Sequence, residues 1–302
     1  MNKAVLFLIF NRLDTTQKVF KQIRAAKPPR LYLASDGARS DRANEDKLIN
    51  EVRNWVLSNI DWECEVKTLF RIENLGCGKA ISSAVTWFFE QEKDGIILED
   101  DCVPNQSFFK YCESLLDKYA SDKRIWHISG NNPLGYLDNS ESYYFAKIAQ
   151  CWGWATWADR WKHFNYDFNL SEFGLENLSK FSDKKTVQIH WFNTLFRLKS
   201  GQNDVWDYQW VFTIVKENGF CINPSKNMIT NIGYLGTHAY GNLNDPALNK
   251  PIWELDEIIH PNKIAIDAKI IDLIYKKGTR IKPFSINKTI RYLKYKKAQG
   301  VK

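Results

Sequence analysis

The chain has 302 residues, 44% hydrophobic and 25% charged, which is an ordinary globular composition and excludes a disordered or fibrous protein. Its net charge of +7 is unevenly placed: about a dozen Lys or Arg stand against two acidic residues between Lys263 and Lys302. The rest of the chain is therefore mildly acidic, which argues against a nucleic-acid partner for the main body.

The first hundred residues alternate strand and helix. The continuous apolar run Ala4–Phe10 reads as a parallel strand covered on both faces. Asp14-Thr-Thr-Gln17 reads as a capping box that opens a helix to about Ala26, stopped by Pro28-Pro29. Strands follow at 30–37 and 64–71, with helices expected at 41–60 and 79–93. A fourth strand, Gly95-Ile-Ile-Leu98, runs directly into Glu99-Asp100-Asp101. Four βα units in a row predict an α/β fold with helices on both faces of the sheet. Ligands of such sheets bind beyond the C-terminal ends of the strands. Those ends carry Asn11-Arg12, Asp36-Gly37, the loop Arg71 to Lys79 with Asn74, and the three carboxylates.

Further along, strands are expected at 124–130, 143–149 and 220–225, and helices at 151–164, 186–199 and 206–218. Residues 233–245 are rich in Gly and Asn and read as a long loop, the kind that often closes over a site. Residues 264–277 are amphipathic, and the basic tail of which they are part is a candidate for an anionic membrane surface or for packing on the body. The six cysteines form no CxxC pair, and the apolar run near the start is too short for a signal peptide or a membrane span. The expectation is a reduced, cytoplasmic protein, with the tail as its route to the inner face of a membrane.

Three adjacent carboxylates repel one another and need a cation or an open solvent face. At the end of a buried strand the matching cation is a hard divalent one, Mn²⁺ or Mg²⁺, held by one or two carboxylates and by substrate phosphates.

At this point the sequence resembles a known family, the GT-A fold glycosyltransferases that use nucleotide sugars. The nearest in kind are the N-acetylglucosaminyltransferase that starts complex N-glycans and its bacterial relatives. The resemblance spans about residues 3–240 and is carried by "IFNR" (9–12), "SDG" (35–37), "FRIENLGCGKAISSAVTWFF" (70–89), "GIILEDDCVPNQSFFKYC" (95–112), "IWHISGNN" (125–132), "CWGWATW" (151–157) and "VWDYQWVF" (205–212). It implies a GT-A domain over 1–258, with a nucleotide-binding half (1–101) and an acceptor half (102–258), followed by the basic tail 259–302. It implies that Arg12, Asp36 and Asp100 contact the donor nucleotide and sugar, that Glu99 touches the sugar or braces the site, and that Asp101 is the direct metal ligand. Asp207, with Asp204 second, is the implied base that takes the acceptor hydroxyl's proton. The implied partners are a UDP-sugar donor and a glycan or lipid-linked glycan acceptor, in a setting of bacterial surface polysaccharide assembly.

Other residues admit two readings. Arg71, Asn74 and Lys79 could hold a phosphate or form a solvated turn. Trp152 and Trp154 could form an acceptor-sugar platform or pack the core. Asn131 and Asn132 are candidates to touch the sugar, and His238 to ligate metal or contact phosphate. Two rival functions are a sugar-phosphate nucleotidyltransferase and a non-catalytic glycan-binding protein. The first usually carries a Gly-rich loop after strand one, which "NRLDTTQK" lacks.

Overall fold

The computed structural model describes residues 1–168, 170–199, 204–233, 248–278 and 285–298. The first half runs β1 (Ala4–Ile9), α1 (Leu13–Ala26), β2 (Arg30–Ser35), α2 (Glu45–Ser58), β3 (Glu65–Phe70), α3 (Cys77–Phe89) and β4 (Asp94–Glu99). It continues through β5 (Cys102–Pro104), α4 (Gln106–Lys118), β6 (Ile125–Ser129), β7 (Tyr143–Ala146), β8 (Trp154–Trp157) and α5 (Ala158–Trp161). Next come α6 (Leu170–Phe173), a 3-10 helix (Leu175–Lys180), α7 (Lys185–Lys199), α8 (Asp207–Lys216), β9 (Phe220–Pro224) and β10 (Ile229–Asn231). The tail holds α9 (Ala268–Leu273), a π-helical turn (Ile274–Gly278) and α10 (Ile286–Ala298).

Eight strands form one sheet in the order β3-β2-β1-β4-β8-β6-β9-β7. The pairings β3–β2, β2–β1, β1–β4 and β6–β9 are parallel; β8 and β7 run against their neighbours. The mostly parallel α/β sheet expected from the sequence is therefore present. Side-chain alternation along β1 builds the layers. Ala4, Leu6 and Leu8 enter the apolar cluster that α3, α7 and α8 cover. Val5, Phe7 and Ile9 enter the opposite cluster, with α1 and α4. Both clusters draw residues from both halves of the chain.

Two expectations need correction, one helix was not foreseen, and one stretch left with two readings packs on the body. The capping box is not used: α1 starts at Leu13 after Arg12, and the Thr15 and Thr16 hydroxyls instead donate back to the Arg12 carbonyl. The stretch 151–164 is not one helix. Trp154–Trp157 is a strand lodged between β4 and β6, and only one helical turn follows. Helix α4 was not expected, although the Asn105 side chain caps it by accepting from the Phe108 amide at 3.1 Å. Finally, the amphipathic stretch 264–277 spends its apolar side on the body: Ile271, Ile274 and Tyr275 are buried, and Tyr275 donates to the Phe181 carbonyl at 3.2 Å. Among the described residues no helix is long and apolar enough to cross a membrane, and all six cysteines are free thiols.

Candidate active site

A cleft of about 930 Å³ opens at the C-terminal ends of β1, β2 and β4. One wall comes from the strand ends and the loop before α3; the other comes from 204–207 at the start of α8. Arg12, Asp36, Arg71, Asn74, Glu99, Asp100, Asp101, Trp152 and Asp207 all line it.

The carboxylates are arranged by a turn. After Glu99 the chain leaves the main sheet and, at Cys102–Pro104, pairs antiparallel with Ile229–Asn231. This swings both aspartates toward β1, where the Arg12 guanidinium ion-pairs with Asp100 and stands 3.0 Å from Asp101 Oδ2. Burial works against the charge on Arg12, but Asp100 and then Asp101 outweigh it, so its hold on the proton rises. Burial pushes the Asp100 carboxyl up to about 6 despite Arg12. Glu99 rises well above the ordinary range, first through burial and then through Asp101, Asp100 and Asp207. One guanidinium therefore faces a group of acids that it does not neutralise.

Asp36, Arg71 and Asn74 shape the loop beneath. The Asp36 carboxylate accepts from the Leu75 amide at 2.9 Å and the Gly76 amide at 3.2 Å; burial nevertheless raises its pKa. Asn74 donates to the Gly37 carbonyl at 2.8 Å, and Arg71 donates to the Ser83 hydroxyl at 2.9 Å. Asp36 and Asn74 thus already work as loop braces, whatever they add to a ligand.

Lys79 and Trp154 are not brought to the cleft. Lys79 Nζ lies over the Tyr166 ring, 5.9 Å from its centroid. Trp154 is fully buried, between His127 (5.1 Å) and Trp206 (5.4 Å) in a stacked array, so it cannot serve as a sugar platform. The reason is local: Gly153 takes a left-handed φ of 62°, and β8 then inserts into the sheet centre, carrying Trp154 inward. Trp152, before that glycine, stays at the cleft. Asn131 and Asn132 are buried, and Asn132 is held by Asn227 and the Ser225 carbonyl. His238 lies outside the described residues.

On the far wall Asp207 opens α8. Asp204, the second candidate base, has another task. Its oxygens accept from the Cys77 amide at 2.6 Å and the Gly78 amide at 2.8 Å, capping α3 from 126 residues away. Gly76, at φ 79°, and Gly78 leave room for it; a Cβ on either would strike the Asp204 carboxylate. Residues that sequence reasoning missed are Trp206, which lines the cleft just before Asp207, and Gly233, whose missing Cβ leaves space for the Asp101 carboxylate. Only the Gly-rich character of the loop after Ile232 hinted at the latter.

The donor set fits a hard divalent cation. Asp100 Oδ2 is buried with no hydrogen-bond partner, beside acids in excess of Arg12. Among the described residues no three His, Cys, Asp or Glu groups converge into a complete metal cage. A metal here would thus be held by one or two carboxylates, with the remaining positions filled by ligand oxygens and water.

No protein-family model matches the chain, and no curated protein does. Among solved structures, the chain is similar to S. aureus TarS 1–349 (11% identity, TM-score 0.41, covering 78% of this chain and 61% of that one). It is also similar to an active-site mutant of LgtC (9% identity, TM-score 0.40, 92% and 97% covered). A third is a UDP-glucose pyrophosphorylase complexed with UDP-glucose (11% identity, TM-score 0.38, 77% and 94% covered). Likenesses this distant carry no argument about chemistry.

Proposed function

We propose that the chain is a metal-dependent, inverting glycosyltransferase that moves a sugar from a UDP-sugar to a glycan hydroxyl. The observation that carries this reading is the two-walled cleft: Arg12, Asp100 and Asp101 on the strand-end wall face Asp207 on the α8 wall. The first group suits a diphosphate and its counter-ion; the second suits a proton acceptor. On this reading residues 1–101 form the donor half and 102–258 the acceptor half.

Asp101, with Asp100 beside it, would hold Mn²⁺ or Mg²⁺. When bound, the ion would offset the charge that grows on the departing diphosphate. Arg12 adds a fixed positive charge on the same side. Asp207 takes the proton of the acceptor hydroxyl as that oxygen attacks the anomeric carbon and the bond to the diphosphate oxygen breaks. Trp152, which lines the cleft, would stack on the acceptor sugar.

The test is UDP binding by calorimetry with Mn²⁺ and with EDTA, in the native protein and in Asp101→Asn. Metal-dependent binding that the substitution abolishes is the expected result. UDP binding indifferent to both would reduce the carboxylates to a structural turn. Turnover on a UDP-sugar panel then assigns the base: Asp207→Asn should lower kcat by at least about a hundredfold. Near-native turnover would remove Asp207 from that role.

A further inference from the structure

Helix α10 has two different faces. Its inner face packs on α7: Tyr292 and Tyr295 each stand 5.3 Å from Phe192 between ring centroids. Arg291 donates to Asn193 Oδ1 at 3.0 Å, and Asn193 donates to the Lys288 carbonyl at 3.2 Å. These contacts fix the helix's rotation about its own axis. Its outer face then presents Ile286, Ile290 and Leu293, which are 64%, 45% and 56% exposed. Spacings of four and three place the three side chains on a single stripe. Such a stripe costs solvation free energy unless something covers it. Lys294 and Lys297 are exposed on the same side of the helix.

We propose that this outer face of α10 docks on an anionic lipid surface, with Ile286, Ile290 and Leu293 entering the headgroup boundary and Lys294 and Lys297 meeting lipid phosphates. Charge selects the occupant. Residues 263–302 hold a dozen cations and two acids, so a second copy of the same face would bring like charges together, whereas an anionic bilayer complements them. The stripe is short and α10 is anchored by its other side, which suits reversible, in-plane association. The face belongs to α10 and not to 264–277, where Ile271, Ile274 and Tyr275 are buried in the body and Ile266 and Ile270 pack against it half-buried. This inference does not depend on the proposed activity.

The test is flotation of the full chain with phosphatidylcholine vesicles, with and without phosphatidylglycerol. Two double variants are compared with the native protein, Ile290→Gln/Leu293→Gln and Lys294→Gln/Lys297→Gln. Because all four side chains are exposed, thermal melting should hardly change, and melting serves as the folding control. Binding to the phosphatidylglycerol vesicles alone, reduced about tenfold by each double variant, is the expected result. Failure of the native protein to float with anionic vesicles overturns the proposal, as does flotation that neither variant weakens. Concentration-dependent dimerisation abolished by Ile290→Gln/Leu293→Gln, without vesicle binding, would assign the face to a second copy instead.

Discussion

Gly233 decides how close the end of β10 can come to the acidic turn. The Ile232 amide donates to the Asp101 carbonyl at 2.9 Å and the Gly233 amide to Asn231 Oδ1 at 2.8 Å, so the backbone is pinned against the turn. A Cβ at 233 would collide with the Asp101 carboxylate. Gly233→Ala should therefore displace that carboxylate and lower metal-assisted UDP affinity at least about tenfold, about 1.4 kcal/mol. Calorimetry decides it; native affinity in the variant would mean that Asp101 is not the group that matters. Glu99 gives a second test at the same scale. It is crowded by Asp101, Asp100 and Asp207 in a buried site, so the folded state holds its proton to higher pH than the unfolded chain does. A carboxylate raised in this sense takes stability away as pH climbs through its folded pKa. Glu99→Gln, which cannot ionise, should be more stable than the native protein at mildly alkaline pH. The advantage should fade at mildly acidic pH. Chemical denaturation at the two pH values measures it, and a pH-independent difference would point to packing instead of charge.

Between elements, the Asp204 cap is the join that matters most. It fixes the start of α8, and with it Asp207, to the start of α3 across the cleft. Asp204→Ala leaves the Cys77 and Gly78 amides without their partner and should cost about 1–2 kcal/mol in urea denaturation. Asp204→Asn, which keeps an acceptor but loses the charge, should cost less; equal losses would deny the charge a part. Such a cap is invisible in sequence because nothing local marks a pairing across 126 positions. The first βα units were legible for the opposite reason, since β1 is a continuous apolar run, β2 and β4 are largely apolar, and the breaks between units carry Pro and Gly. Strand β8 was misread because it is buried on both faces. Trp154 enters one apolar cluster, and Ala155 and Trp157 the other, so no polar face betrays a period of two. The acidic turn stood out in the sequence because its carboxylates follow a buried strand directly, and they do line the cleft. The sharing of Arg12 between Asp100 and Asp101 needed the turn's geometry.

Across the whole molecule, His127 ties the sheet to α8 through a polar contact set in an aromatic stack. Its Nδ1 accepts from the Trp210 indole at 3.1 Å, and its other nitrogen, 3.2 Å from the Gln150 carbonyl, donates to it. Accepting from Trp210 needs the neutral ring, and full burial pushes its pKa down to about 3 even though the Gln150 carbonyl, which either form of the ring can donate to, pulls the other way. The unfolded chain protonates this ring at ordinary acidity and the folded chain does not. Stability from this group is therefore complete above about 6.5 and is lost as pH falls toward 3, by at most about 1.4 kcal/mol per pH unit. The Asp100 and Glu99 carboxyls act with opposite sign, because their raised pKa values make the folded state lose stability as pH rises. The native protein should thus show a shallow pH profile in the mildly acidic range, the difference of two slopes. His127→Asn keeps an acceptor for Trp210 but removes the titrating ring. It should be less stable overall, through lost ring packing, and its stability should fall as pH rises, because the carboxylate slope is no longer opposed. Glu99→Gln should tilt the profile the other way. Denaturation midpoints of the three proteins across mildly acidic pH test this directly. If His127→Asn keeps the native profile, the acid response belongs elsewhere; His190, also held down by burial, at about 4, would be the next histidine to replace.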